Sequence, residues 1–299
     1  MNTLITGGSG LVGSCLESDF KPSSKDLNLF NLQDIINYIQ DNNIDRIVHC
    51  AAKVGGIKAN SDYLGDFFYD NIRINTNVLE AARLCRLSKV VSFMSSCVFP
   101  TDANYPLTTD QLHSGEPHPT NYAYAYAKRM LEVQSRAYRD QHGCNFVTVI
   151  PCNIYGPNDN FNLESSHVIP ALIHKCYLAK QNNTDFEVWG TGKAYREFVY
   201  SEDVGYITQW VLENYDDPDP VIISPDQEIS IATIAQEISW RMGFEGNIIF
   251  NQERDGILKK PSDNSKLKSL LPNYAFVPIE VGLVKTIEWF IENYEKARK

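Results

Sequence analysis

Short runs that are apolar at nearly every position alternate, along the first half of the chain, with longer segments of mixed polarity. The run at residues 2–6 precedes 11–18, 46–51 precedes 69–87, 90–94 precedes 122–141, and 145–150 closes the series. Continuous apolar runs of this length suit strands covered on both faces, and the intervening segments carry helical spacing. The alternation predicts an α/β fold, a doubly wound parallel sheet of Rossmann type with right-handed crossovers. The second strand is poorly defined, because residues 20–24 hold a proline and few apolar side chains. Past Pro151 the pattern loosens. Residues 151–166 are rich in Pro, Asn and Gly and read as a long binding loop. Helices are predicted at 167–181, 203–214, 231–242 and 279–297. The organisation expected is a Rossmann domain over 1–155 and a smaller C-terminal α/β substrate domain over 156–299, with a segment near 198–223 returning to the first.

A chain of 299 residues with 43% hydrophobic and 21% charged positions has enough apolar surface for one large domain or two modest ones. Its apolar stretches are all too short to cross a bilayer, and no basic segment followed by an apolar core opens it, so a cytoplasmic protein without a membrane partner is expected. Seven cysteines, with no C-x-x-C pair, fit neither a disulfide framework nor a zinc site. They read as reduced thiols, and no metal is expected. A formal charge of −10 disfavours nucleic acid as a partner. A phosphate ligand then needs a local basic pocket, which Lys175, Lys193, Arg196, Lys259 and Lys260 can supply, although each equally suits a solvated surface.

The opening T-G-G-S-G-L-V-G places Gly7, Gly10 and Gly13 three residues apart, after a strand and before an expected helix. Such glycines permit a tight turn and close approach of backbone to a pyrophosphate, and a helix N-terminus there offers free N–H groups. A dinucleotide site is the reading; a glycine turn without a ligand is the alternative. About twenty residues further, where an acidic residue marks NAD, the chain offers Ser23, Ser24 and Lys25. A lysine with hydroxyls suits a 2′-phosphate, so NADP(H) is favoured, with Asp26 as the dissonant neighbour.

Tyr124 and Lys128 are four apart on a predicted helix and so share one face. A neighbouring ammonium lowers a phenol's pKa toward useful acid–base chemistry. Ser95 follows an apolar strand and so lies at the carboxyl edge of the sheet, where open α/β folds bind ligands. Taken alone, the Tyr–Lys pair is as compatible with a surface helix.

Together the glycine motif, Ser95, Tyr124 and Lys128 resemble the extended short-chain dehydrogenase/reductase superfamily over essentially the whole chain. Narrower runs, A-A-K-V-G-G-I, S-S-C-V-F-P, P-H-P-T-N-Y-A-Y-A-Y-A-K, N-I-Y-G-P-N-D-N-F, S-H-V-I-P-A-L and W-G-T-G-K-A-Y-R-E-F, resemble the GDP-L-fucose synthases within it. That resemblance implies a homodimeric enzyme that epimerises C3 and C5 of GDP-4-keto-6-deoxy-mannose and reduces C4 with NADPH. It implies cofactor contacts at Gly7, Gly10, Leu11, Val12, Gly13, Ser24, Lys25, Asn28, Leu29, Ala51, Ala52, Lys128, Pro151, Asn153, Ile154 and His167. Cys97 becomes the base, His167 the acid, and Ser95, Tyr124 and Lys128 the reductive centre. Lys175, Trp189, Arg196 and Lys260 would contact the GDP-sugar. By residue type alone, Cys97 is a small packed thiol, His167 a structural histidine and Trp189 a core residue. A nucleotide-sugar 4-epimerase or 4,6-dehydratase, or a non-catalytic NADP-binding protein, shares the fold and the cofactor motif.

Overall fold

The computed structural model describes residues 1–252 and 257–299. Its elements in chain order are β1 (Asn2–Thr6), α1 (Leu32–Asp41), β2 (Ile44–His49), α2 (Ile57–Asp62), α3 (Leu64–Leu84), β3 (Lys89–Phe93), α4 (Tyr122–His142), β4 (Phe146–Pro151) and β5 (Asn153–Tyr155). There follow α5 (Val168–Asn182), β6 (Phe186–Val188), β7 (Tyr195–Tyr200), α6 (Ser201–Asn214), β8 (Val221–Ile223), β9 (Glu228–Ser230), α7 (Ile231–Arg241), β10 (Ile248–Phe250), α8 (Ser265–Leu270) and α9 (Ile279–Glu292).

The main sheet has the order β1-β2-β3-β4-β8, every neighbour parallel. Alternate residues of each strand enter opposite cores, as the two-residue side-chain period requires. Leu4, Ile47, Val90 and Ile150 face the apolar residues of α1, α3 and α4, while Ile5, Val48, Val91 and Val149 face those of α6 and α8. Both faces are therefore sealed, which is why the strands tolerate no polar alternation. Helix α1, unassigned in the sequence pattern, buries Ile35 and Ile39 one turn apart, and Asn31 caps it by accepting from the Gln33 amide at 3.0 Å.

Two sequence expectations fail beside β1. No α-helix forms over 11–18; a three-residue 3₁₀ turn, Gly13–Cys15, stands there instead. The second strand shrinks to one parallel bridge between Phe20 and Leu4. The cause is chain length. Only Ser14 to Asp19 separate Gly13 from Phe20, and six residues of helix rise about 9 Å. That leaves no chain for descending the sheet and turning, so the segment extends from Leu16 onward, at ψ 143°.

The second lobe has its own apolar cluster, in which α5, α7 and α9 pack with β6 and β7. β6 pairs with β10, and β7 lies between β5 and β9. Phe161 stacks on Phe290 of α9 at 4.4 Å, and the chain end returns to this point, where the Phe161 amide donates to the Arg298 carbonyl at 2.7 Å. Chain connectivity crosses back to the main sheet through α6 and β8. The mouth between the lobes therefore lies at the carboxyl ends of β1 to β4.

Candidate active site

At the end of β1 the chain turns with Gly7 in the left-handed region, φ +69°, a conformation costly for residues with a Cβ. The Gly10 amide donates back to the Gly7 carbonyl at 3.0 Å. A Cβ on Gly13 would come within 2.3 Å of that carbonyl, and one on Gly7 within 2.8 Å of the Ala51 nitrogen. The turn is thus pressed against the end of β2 and leaves open space only on its outer side. A cleft of about 370 Å³ occupies that side, lined by Gly7, Gly10, Leu11, Val12, Gly13, Ala51, Ala52, Ser95, Tyr124, Lys128, Pro151, Asn153, Ile154 and His167 among others. The expected helix-terminus contribution to anion binding is small, because a single 3₁₀ turn aligns few peptide dipoles.

Ser24, Lys25, Asn28 and Leu29 are not among the residues lining this cleft. Ser24 and Lys25 sit exposed on a turn closed by Asp26, whose carboxylate accepts from the Ser23 amide at 3.0 Å and hydroxyl at 2.6 Å. Those two bonds hold the Asp26 carboxyl below its ordinary pKa. The nearer cation is Lys21, directly after the Phe20 bridge: its stem lies against Gly8, where an added Cβ would meet the Lys21 Cβ at 2.6 Å. No periodicity surrounds Lys21, so nothing in the sequence pattern singled it out.

At the reactive end, β3 delivers Ser95 in extended conformation, and Ser96–Val98 then winds into a 3₁₀ turn. Cys97 therefore does not continue the strand. In this turn the Cys97 amide donates to Ser95 Oγ at 3.5 Å. Arg129 holds the far side through the carbonyls of Val98 at 3.0 Å and Gly115 at 2.9 Å. From the second lobe, the half-buried Lys260 donates from Nζ to the Ser96 carbonyl at 2.7 Å.

The electrostatics differ from expectation at Tyr124. Burial pushes the Tyr124 phenol up, and Cys97 adds to that direction. Lys128 does not oppose it, since its Nζ is turned to the Phe93 carbonyl at 2.9 Å, and burial brings its pKa down to about 8. The Cys97 thiol is also raised by burial, with Ser95, Lys260 and Lys128 pulling the other way. His167, at the first position before α5, is lowered by burial.

Ser95, Tyr124, Lys128 and His167 thus meet in one cleft, with Cys97 in electrostatic reach of Tyr124. Arg196 on β7 lies in electrostatic reach of Lys260, which in turn acts on Cys97. Lys175 Nζ stands 4.1 Å from the ring centroid of Trp189, and this tryptophan is 52% exposed, so it is not core. Sequence reasoning passed over two further lining residues, Asp159 and Arg298. Asp159 is buried with Oδ2 unpartnered, while Oδ1 accepts from the Asn160 amide at 2.7 Å.

Residues 3–224 match the model of the NAD dependent epimerase/dehydratase family. The chain is 44% identical to a GDP-L-fucose synthase of Dictyostelium discoideum, covering 99% of this chain and 97% of that one. It is 32% identical to a GDP-L-fucose synthase of Escherichia coli (strain K12), covering 98% of each. It superposes on the crystal structure of a GDP-L-fucose synthetase from Naegleria fowleri bound to NADP with a TM-score of 0.94 and 39% identity, over 99% of this chain and 94% of that one. With a glycine turn, a Ser–Tyr–Lys cleft and these full-length likenesses, the chain belongs to the NAD dependent epimerase/dehydratase family and, within it, to the GDP-L-fucose synthases.

Proposed function

We propose that this chain converts GDP-4-keto-6-deoxy-D-mannose into GDP-L-fucose, epimerising C3 and C5 and then reducing C4 with NADPH. The observation that carries this is the convergence of a phenol, a hydroxyl, an imidazole and a nearby thiol at one end of a cleft whose other end is a glycine turn. Reduction alone needs only the phenol, hydroxyl and lysine. A thiol and an imidazole beside them suit proton removal from one face of a carbon next to the ketone and return on the other.

The glycine turn fits a dinucleotide, since its outer side is open while a side chain at Gly7 or Gly13 would collide with backbone. Gly10, Leu11, Val12 and Gly13 would hold the pyrophosphate, and Ala51, Ala52, Pro151, Asn153 and Ile154 would hold the body of the cofactor. Lys21 supports a 2′-phosphate beside the turn, alongside the Ser24 and Lys25 expected for it. When bound, NADPH supplies the hydride for C4.

Ser95 and Tyr124 donate hydrogen bonds to the C4 oxygen. The same donors stabilise the negative charge of the enolate and of the alkoxide, so one preorganised pocket serves each step. Lys128 reinforces that field from beneath, anchored on the Phe93 carbonyl. Cys97 acts as the base, and the charges of Lys260 and Lys128 offset part of the cost of burying its thiolate. His167 returns the proton from the opposite wall. Lys175, Arg196 and Lys260 serve the GDP phosphates, with Trp189 as the apolar platform.

A homodimer belongs to the same reading, supported by Tyr63, Phe68 and Tyr69 standing 58%, 43% and 55% exposed at and just before α3. A cytoplasmic location is supported by seven unpaired cysteines, and no helix among the described residues is long and apolar enough to cross a membrane. The test is NMR identification of the product after incubation with NADPH and the 4-keto sugar nucleotide. GDP-L-fucose is expected; a 4-reduced sugar with C3 and C5 unchanged would leave a reductase only.

A further inference from the structure

The glycine turn of this chain lacks what usually accompanies it. A pyrophosphate at such a turn is ordinarily stabilised by the N-terminus of a helix of several turns. Here the helix is one 3₁₀ turn, Gly13–Cys15, and its contribution is correspondingly small. Two negative charges brought into this cleft are stabilised by a positive partner, which must then come from elsewhere.

The lysine and arginine among the residues lining this cleft are Lys128 and Arg298. Lys128 is committed to the Phe93 carbonyl at the reactive end. Arg298 arrives from the last residues of the chain and is fixed at the other end by its own backbone. Its carbonyl accepts from the Phe161 amide at 2.7 Å, and it forms a parallel bridge with Asn160. Its guanidinium donates from Nη2 to the Asn158 carbonyl at 2.6 Å, and Asn158 Nδ2 in turn reaches Ser14 Oγ at 3.3 Å, directly behind Gly13. A guanidinium has five N–H donors in a planar fork suited to phosphate oxygens, and the Asn158 bond uses one.

We propose that Arg298, carried on a C-terminal strap clipped to residues 158–161, is the cofactor's pyrophosphate-binding cation and replaces the missing helix terminus. Asp159 beside it completes the device. Its buried carboxyl has an unpartnered Oδ2 and is influenced by Arg298.

This inference rests on the cofactor reading above, and the experiment separates the two. Arg298→Gln and Arg298→Lys are made in the full chain. NADPH, NADH and adenosine 2′-monophosphate are titrated by calorimetry at two salt concentrations. With Arg298 on the pyrophosphate, the Gln variant weakens NADPH and NADH by the same factor, roughly 10-fold or more. Adenosine 2′-monophosphate, which has no pyrophosphate, binds as before. The Lys variant recovers part of the loss, because charge remains while the fork is gone, and the salt dependence of NADPH binding becomes shallower in the Gln variant alone. Unchanged dinucleotide binding overturns the proposal, as does a loss confined to NADPH and adenosine 2′-monophosphate, which would put Arg298 on the 2′-phosphate. Equal loss of all three ligands marks damage to the strap and also overturns it. A wild-type chain that binds neither dinucleotide removes the cofactor reading itself.

Discussion

Lys260 donates its ammonium to the carbonyl of Ser96 at 2.7 Å, joining positions 164 residues apart. The bond fastens the second lobe to the turn that carries Cys97, and the lysine's charge falls on that thiol. Lys260→Met removes both the anchor and the charge. The Cys97 thiol then rises further, and the rising limb of solvent-deuterium incorporation at C3 and C5 is expected to move to higher pH. The KM for the GDP-sugar should rise about 10-fold, the size of one charge-assisted hydrogen bond. An unshifted pH profile would detach Lys260 from the thiol.

Burial raises the Cys97 thiol above its ordinary value and lowers the His167 imidazole. A thiolate base is generated only as pH climbs toward the thiol's pKa, so deuterium incorporation at fixed substrate should increase steadily from pH 7 to 9. An imidazole base with a lowered pKa is already deprotonated across that range and would give a flat profile. Cys97→Ser is expected to cut incorporation by about 10²- to 10⁴-fold while NADPH affinity, measured by fluorescence titration, stays within twofold of wild type. Retained incorporation would remove Cys97 from the chemistry.

Gly13→Ala places a Cβ within 2.3 Å of the Gly7 carbonyl, a backbone atom that cannot rotate away. Forced overpacking costs about 1–3 kcal/mol, and here the strain falls on the turn that shapes the cleft. Calorimetry should show a lower Tm together with NADPH binding weakened well beyond the stability loss. Gly65→Ala, where an added Cβ meets nothing within 4 Å, is the control and should be neutral in both measurements.

Asp159 is 4% exposed, and burial raises its carboxyl to about 7 in the folded chain, with the Asn160 amide and the charge of Arg298 opposing. The folded pKa lies above the unfolded value, so the protonated form stabilises the fold fully below about pH 4. That contribution is lost as pH rises to 7. Across this window the term is on the order of 2–4 kcal/mol. Asp159→Asn, which keeps an acceptor for the Asn160 amide, should raise Tm at pH 8 and remove the part of the slope between pH 4 and 7. Parallel melting curves for wild type and variant at both pH values would contradict the burial account.

Strand–helix alternation was legible because it is a local property: a strand sealed on both faces needs an apolar residue at nearly every position, whichever partners seal it. Helix α1 escaped notice because its stripe, Ile35 and Ile39, is short and follows a stretch without pattern. The expected helix after Gly13 failed for a reason visible only in three dimensions. Its residues have helical composition, but the position of Phe20 against Leu4 leaves too little chain for a helix. At the site, Tyr124 and Lys128 share a helix face by spacing alone, yet the direction of their pKa values depends on burial and on the Phe93 carbonyl. Lys21, Asp159 and Arg298 lie in no motif of periodic spacing, and only folding brings Asp159 and Arg298 to the cleft and Lys21 against Gly8 of the glycine turn.

By itself the sequence determined the kind of sheet, the glycine turn and the pairing of Tyr124 with Lys128 on one helix face, since each follows from residue type and short-range spacing. The tertiary structure alone decided which half of the sheet was curtailed, which cations reach the cleft and which way each acid or base is biased. Those outcomes depend on desolvation and on contacts between residues more than a hundred positions apart, and neither is written in any local stretch of chain.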